Sequence, residues 1–159
     1  MVNLKPIVPG HVLVAPRRTT AVELGSLSPE ESQDYFRTVQ LIQQFIKWQY
    51  KADALNIAIQ DGPEAGQSVP HLHTHIIPRY KRNNYGDKVY EKIDEWQFRR
   101  DMYLGEGGRA ARKAEEQEFK PDAQRVERGH DTMLEESSML KQRLVSFLQE
   151  YPDLARKWA

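Results

Sequence analysis

Cysteine is absent from the 159 residues, which removes disulfide frameworks, thiolate nucleophiles and Cys-based metal sites together and fits a reducing compartment. No apolar run approaches the ~20 residues needed to cross a bilayer. The opening stretch "MVNLKPIVPG" has neither the basic flank nor the long apolar core of a secretory signal. An excess of either charge is missing too, since 23 Lys and Arg balance 23 Asp and Glu. A chain so balanced does not hold nucleic acid or acidic lipid by bulk charge, so any anion it binds is captured locally. The expectation is a soluble protein of the cytoplasm, extending to the nucleus, with no nucleic-acid or membrane partner and a single hydrophobic core.

Histidine is scarce as well, five in the chain, yet three stand at alternate positions, His71, His73 and His75, in "GQSVPHLHTHIIPRY" (residues 66–80). On a strand beginning near Val69 these three share one face, and Leu72, Thr74 and Ile76 point the other way. Pro78 closes the far end of that strand, and Pro70 removes a ladder bond near its start. Upstream, "LNIAIQ" (55–60) alternates as a strand, and the turn-rich "DGPEAGQ" links the two into an antiparallel pair. "HVLVAP" (11–16) reads as a strand that forms a hairpin with "VNLK".

Between these lies a helix over 29–50. Ser28 is its N-cap, Pro29 its first residue and Glu31 the partner that closes a capping box. Tyr35, Val39, Ile42, Ile46 and Tyr50 recur along one stripe. Residues 1–95 therefore form the core domain. Residues 96–130, rich in charge and poor in large apolar side chains, read as a charged mobile insertion. A helix capped by Asp131 follows in 131–159, with Met133, Leu140, Leu144, Phe147, Leu148 and Tyr151 on its apolar stripe and Pro152 as its stop. It packs on the core or on a partner.

Three aligned imidazoles admit three readings. Zinc is one, but His71 and His75 stand about 13 Å apart along a strand, so all three cannot share one tetrahedral ion. His11, His130 or a carboxylate would have to complete such a site, and no metal-binding motif points to one. Plain packing is the second, and it leaves several ring nitrogens in need of partners. The third is nucleophilic catalysis on phosphorus. An imidazole whose second nitrogen is held by a carbonyl is a neutral nucleophile near pH 7, and its neighbours donate to phosphate oxygens or to the departing group. Backbone amides near Gly66, the Gln67 amide and the Ser68 hydroxyl suit the non-bridging oxygens of a polyphosphate.

"HLHTHII" preceded by "QDGPEAGQ" resembles the histidine-triad family of nucleotidyl hydrolases and transferases, whose motif is H-x-H-x-H followed by two apolar residues. With "VNLKPIVPGHVLVAP" added, the chain is similar to the fragile-histidine-triad branch, and "YLGEGGRAARK" with the charged insertion points to fungal diadenosine polyphosphate hydrolases. The resemblance implies an α+β histidine-triad fold: an antiparallel sheet of about five strands, fewer without the N-terminal ones, with a long helix and a C-terminal helix. It implies hydrolysis of dinucleoside polyphosphates, tri- to hexaphosphate, at the α-phosphate through a nucleotidyl-histidine intermediate.

Carried over by position, His73 is the nucleophile and His71 orients it through its backbone carbonyl, its own ring steadied by His11. His75 contacts the scissile phosphate and assists the leaving group. Gln67 and Ser68 hold phosphate oxygens, while Asn3 and Gln60 contact the ribose. A divalent cation, magnesium or manganese, comes with the substrate, and no tightly bound metal is expected. The resemblance also implies a two-fold homodimer, with the 35–50 stripe as candidate surface. Family members carry about two more strands before the position of Val2, so by that comparison the sequence begins mid-domain. Thr74 departs from an apolar family position, and its hydroxyl needs a partner. Nucleoside phosphoramidase activity, and a nucleotide-binding signalling module with slow turnover, are the alternatives.

Overall fold

The structure, a computed structural model, describes residues 1–81 and 127–158. Three antiparallel strands, β1 (Val12–Val14), β2 (Ala54–Ile59) and β3 (Thr74–Arg79), lie in the order β1-β3-β2. Helix α1 (Pro29–Gln49) joins β1 to β2, and α2 (His130–Glu150) and α3 (Pro152–Trp158) follow. This is the α+β arrangement expected, with three strands among the described residues against about five. Residues 82–95 of the expected core and 96–126 of the expected insertion lie outside the described residues.

Helix α1 starts where its sequence says. Ser28 Oγ accepts from the Glu31 amide at 3.2 Å, and Glu31 Oε2 accepts from the Ser28 amide at 2.9 Å. Such a cap contributes about 1 kcal/mol. Tyr35, Val39 and Ile46 of the stripe are buried, and so is Phe45, which the stripe did not include. These side chains meet Val12, Val14 and Ile76 from the sheet, Leu72 ahead of β3, and Leu140 and Phe147 from α2 in one core. Tyr35, Val39 and Ile46 of the stripe thus pack against the chain's own sheet and C-terminal helix.

Alternation along the histidine segment holds. Leu72 and Ile76 enter the α1 core, while Ile77 packs with Ile7, Val8 and Ala58 on the opposite face. Thr74, fully buried, finds its partner on the α1 side. Tyr35 Oη donates to the Val14 carbonyl at 3.2 Å and stands 2.6 Å from Thr74 Oγ1, so the threonine hydroxyl donates to the phenol oxygen.

Four expectations are corrected. The central strand begins at Thr74, not near Val69: the His71 amide turns back to the Val69 carbonyl at 2.8 Å, and the Leu72 amide bonds the Ala21 carbonyl at 2.8 Å, away from any ladder. Pro78 sits inside β3, opposite Leu55, instead of ending it. The N-terminal hairpin reduces to one bridge, Val2 with Val12, beside a bond from the Leu13 amide to the Met1 carbonyl. Pro6 and Pro9 cannot donate to a ladder there. Helix α2 opens at His130 behind Gly129, with no side-chain cap; it stops at Glu150, ahead of Pro152 as expected, and Pro152 starts α3, a position where its missing N–H costs nothing.

Candidate active site

His75 lies at the centre of the sheet, facing Leu13 on β1 and Ala58 on β2. His73 precedes the ladder by one residue, and its ring centroid is 5.0 Å from that of His75 in an edge-on arrangement. Both are buried, at 6% and 1% exposure. His71, two residues earlier, is half-buried, and its Nε2 donates to the Pro16 carbonyl at 3.0 Å.

The hydrogen bonds fix where each proton sits. His73 Nδ1 is 2.8 Å from the His71 carbonyl oxygen. A carbonyl only accepts, so Nδ1 carries the proton and Nε2 carries the lone pair. Burial holds the His73 pKa below its ordinary value, against the opposing pull of that carbonyl bond, and the neighbouring His71 adds to the lowering. The ring is neutral near pH 7, and its lone-pair nitrogen lies on the side away from the carbonyl.

His75 has the opposite polarity. The Ile7 amide donates to His11 Nδ1 at 3.2 Å, which places the His11 proton on Nε2. His11 Nε2 is 2.9 Å from His75 Nδ1. His11 therefore donates, and the neutral His75 ring carries its own proton on Nε2. Burial, then the charges of His11 and His73, bring the His75 pKa down to about 2. The two rings present one lone pair and one N–H side by side, which is the pairing that attack on phosphorus and stabilisation of a departing oxygen require.

The expected roles of His11 change partner: it bonds His75, not the His71 ring, which the Pro16 carbonyl holds. Geometry explains this, because with His71 ahead of the ladder only His75 is opposite β1, next to His11. Gln67 donates from Nε2 to the Val22 carbonyl at 2.6 Å. Its Oε1 and Ser68 Oγ are buried with no hydrogen-bond partner among the described residues. Gly66, at φ 96°, provides the left-handed turn that aims these two side chains inward. Gln60 follows β2 and is buried at 8% exposure. Asn3, at 2% exposure, accepts from the Lys5 amide at 2.9 Å through Oδ1, and its Nδ2 straddles the His11 ring, 3.2 Å from Nε2 and 3.5 Å from Nδ1. His130 is exposed at the start of α2. Among the described residues no group of three or more His, Asp or Glu side chains is placed to hold a metal ion.

The HIT domain family matches residues 1–82, more than half of the chain and all of this geometry. The chain belongs to the HIT domain family. Within it, the chain is 54% identical to a bis(5'-adenosyl)-triphosphatase of Saccharomyces cerevisiae, over 98% of this chain and 87% of that protein. It is 35% identical to a bifunctional bis(5'-adenosyl)-triphosphatase/adenylylsulfatase of Arabidopsis thaliana, over 89% of this chain and 70% of that protein. These relatives place it in the fragile-histidine-triad branch. Among solved structures, a Plasmodium falciparum diadenosine triphosphate hydrolase in complex with cyclomarin A is 34% identical, covering 65% of this chain and 68% of that one, with a TM-score of 0.50.

The HIT domain here also uses groups that sequence reasoning did not name: the carbonyls of Pro16, Ala21 and Val22 and the amide of Ile7. Each is a backbone atom, which any residue supplies, so no residue type marks them.

Proposed function

We propose that this HIT domain hydrolyses dinucleoside polyphosphates, diadenosine tri- to hexaphosphate among them, at the α-phosphate. His73 Nε2 attacks the α-phosphorus, an N–P bond forms, and the bond to the bridging oxygen breaks with its electron pair leaving on the departing nucleotide. His75 Nε2–H hydrogen-bonds that oxygen as its charge develops. Water then attacks the same phosphorus, the N–P bond returns its pair to His73, and a nucleoside monophosphate and a proton leave.

His71 orients the nucleophile through its carbonyl. Ser68 Oγ, with no partner among the described residues, supports a contact to a phosphate oxygen. Gln67 flanks it with the second hydrogen of its amide. Gln60 and the second amide hydrogen of Asn3 face the ribose. Magnesium or manganese arrives on the polyphosphate oxygens and neutralises part of their charge. A two-fold homodimer completes the reading.

The observation that carries it is the His73 Nδ1–His71 carbonyl bond, in a chain 54% identical to a bis(5'-adenosyl)-triphosphatase. The test is to mix the protein with diadenosine triphosphate and magnesium, quench within early turnovers and look by mass spectrometry for an adenylyl group on His73. His73→Asn abolishes turnover and keeps nucleotide affinity. Product without adduct at every early time refutes the covalent route, and an active H73N refutes the residue's role.

A further inference from the structure

The start of helix α2 is tied to the loop that carries His11. Arg128, two residues before the helix, donates from Nε at 3.1 Å and from Nη2 to the backbone carbonyl of Asn3, and its own amide bonds the Leu4 carbonyl at 3.1 Å. Its Nη1 pairs with Glu136, one and a half turns into α2, and both side chains are mostly buried, at 19% and 17% exposure. Glu136 also accepts from Tyr50 Oη at 3.2 Å. The Tyr50 ring in turn covers Gly10: a Cβ there would stand 2.7 Å from it. Arg128 and Tyr50 thus meet on one carboxylate and grip the two ends of the 3–11 loop. That loop carries the Ile7 amide and His11, the two groups that set the His75 proton, and it places the Asn3 side chain against the His11 ring.

We propose that Arg128 is a positioning residue for the triad: by clamping Asn3 it keeps His11 donating to His75 Nδ1, and so keeps the His75 proton on Nε2. The C-terminal helix then does more than cover the core. Its docking and the proton arrangement of the site are one coupled equilibrium, joined through Arg128, Glu136 and Tyr50. Removing the guanidinium leaves the Asn3 carbonyl without its two donors, and the loop loses the restraint that holds His11 over β1. The kinetic arm of the test rests on the proposed role of His75 in phosphoryl transfer, whereas the spectroscopic arm stands without it.

The experiment uses the full chain labelled with 15N-histidine. Long-range 1H–15N spectra near neutral pH read which nitrogen of His11 and His75 holds the proton, in the wild type, Arg128→Met, Arg128→Lys and Glu136→Gln. The wild type shows both protons on Nε2. R128M shows mixed tautomers at both rings, and kcat on diadenosine triphosphate falls at least about tenfold, short of the about 10⁴-fold that a fully wrong tautomer costs, with KM changed less than about twofold. R128K, retaining a donor to the Asn3 carbonyl, recovers part of both readouts, and E136Q moves both in the direction of R128M. A folded R128M with wild-type tautomers overturns the proposal, whatever its melting temperature or kcat. Should R128M not fold, E136Q decides by the same criterion. Shifted tautomers with unchanged kcat uphold the clamp and instead refute the role of His75 in the reaction.

Discussion

Lowering the pH from 7 to 5 costs this fold a calculable part of its stability. His75 is neutral and buried, with its pKa brought from 6.5 down to about 2, first by desolvation and then by the neighbouring His11 and His73. In the unfolded chain the same ring takes up a proton below about pH 6.5. Between those values the unfolded state binds more protons than the folded one, so stability rises with pH and is lost as pH falls. At pH 5 the loss from His75 alone is about 2 kcal/mol relative to pH 7, or a melting temperature lower by roughly 4–8 °C for a domain of this size. His73, lowered by burial in the same direction, adds to it. Glu31, drawn down to about 2 chiefly by its hydrogen bond from Arg18, begins to withdraw stability only below its ordinary 4.5. Urea denaturation at pH 7 and pH 5 measures the difference, and His75→Asn should shrink it by that same amount. A wild type equally stable at both values, or an H75N variant with an undiminished loss, would refute the assignment of His75 as a neutral buried ring.

Other substitutions test the supports of the site. Gly10→Ala forces a side chain onto a residue at φ +83° and against the Tyr50 ring; the expected destabilisation is about 2 kcal/mol or more, read from the shift of the urea midpoint. Tyr35→Phe and Thr74→Val remove the two hydroxyls that tie α1 to β3, and a double-mutant cycle in denaturant gives a coupling of about 0.5–3 kcal/mol; additive effects would show that the 2.6 Å contact carries no energy. Ser28→Ala loses the capping box and about 1 kcal/mol, seen as a lower melting temperature with kcat unchanged.

Elements whose information is local were legible in the sequence. Ser28, Pro29 and Glu31 specify a helix start by their own side chains, and the α1 bounds follow. Alternation along residues 72–77 gave the correct faces, because Leu72 and Ile76 must be buried and the histidines then turn the other way. Strand limits were not legible, since period-two alternation marks an extended chain whether or not its amides find a ladder. Here the His71 carbonyl is committed to a ring and the Leu72 amide to Ala21, and no side chain announces either. The partner of His11 depended on that same limit. Arg128 looked like one more charge in a charged tract, and its contact is a backbone carbonyl 125 positions away. Gly129 caps α2 with no side chain at all, so Asp131 was the nearer signal and the wrong one.

The start of the central strand at Thr74 divides labour between neighbouring rings. His75 is anchored in pairing on both flanks, so its position is as stiff as the sheet itself. His73 is tethered one step outside that lattice, by a carbonyl of its own segment. In the proposed mechanism the ring that accepts and then surrenders the nucleotidyl group is held from outside the ladder, while the ring that steadies the departing charge is held within it.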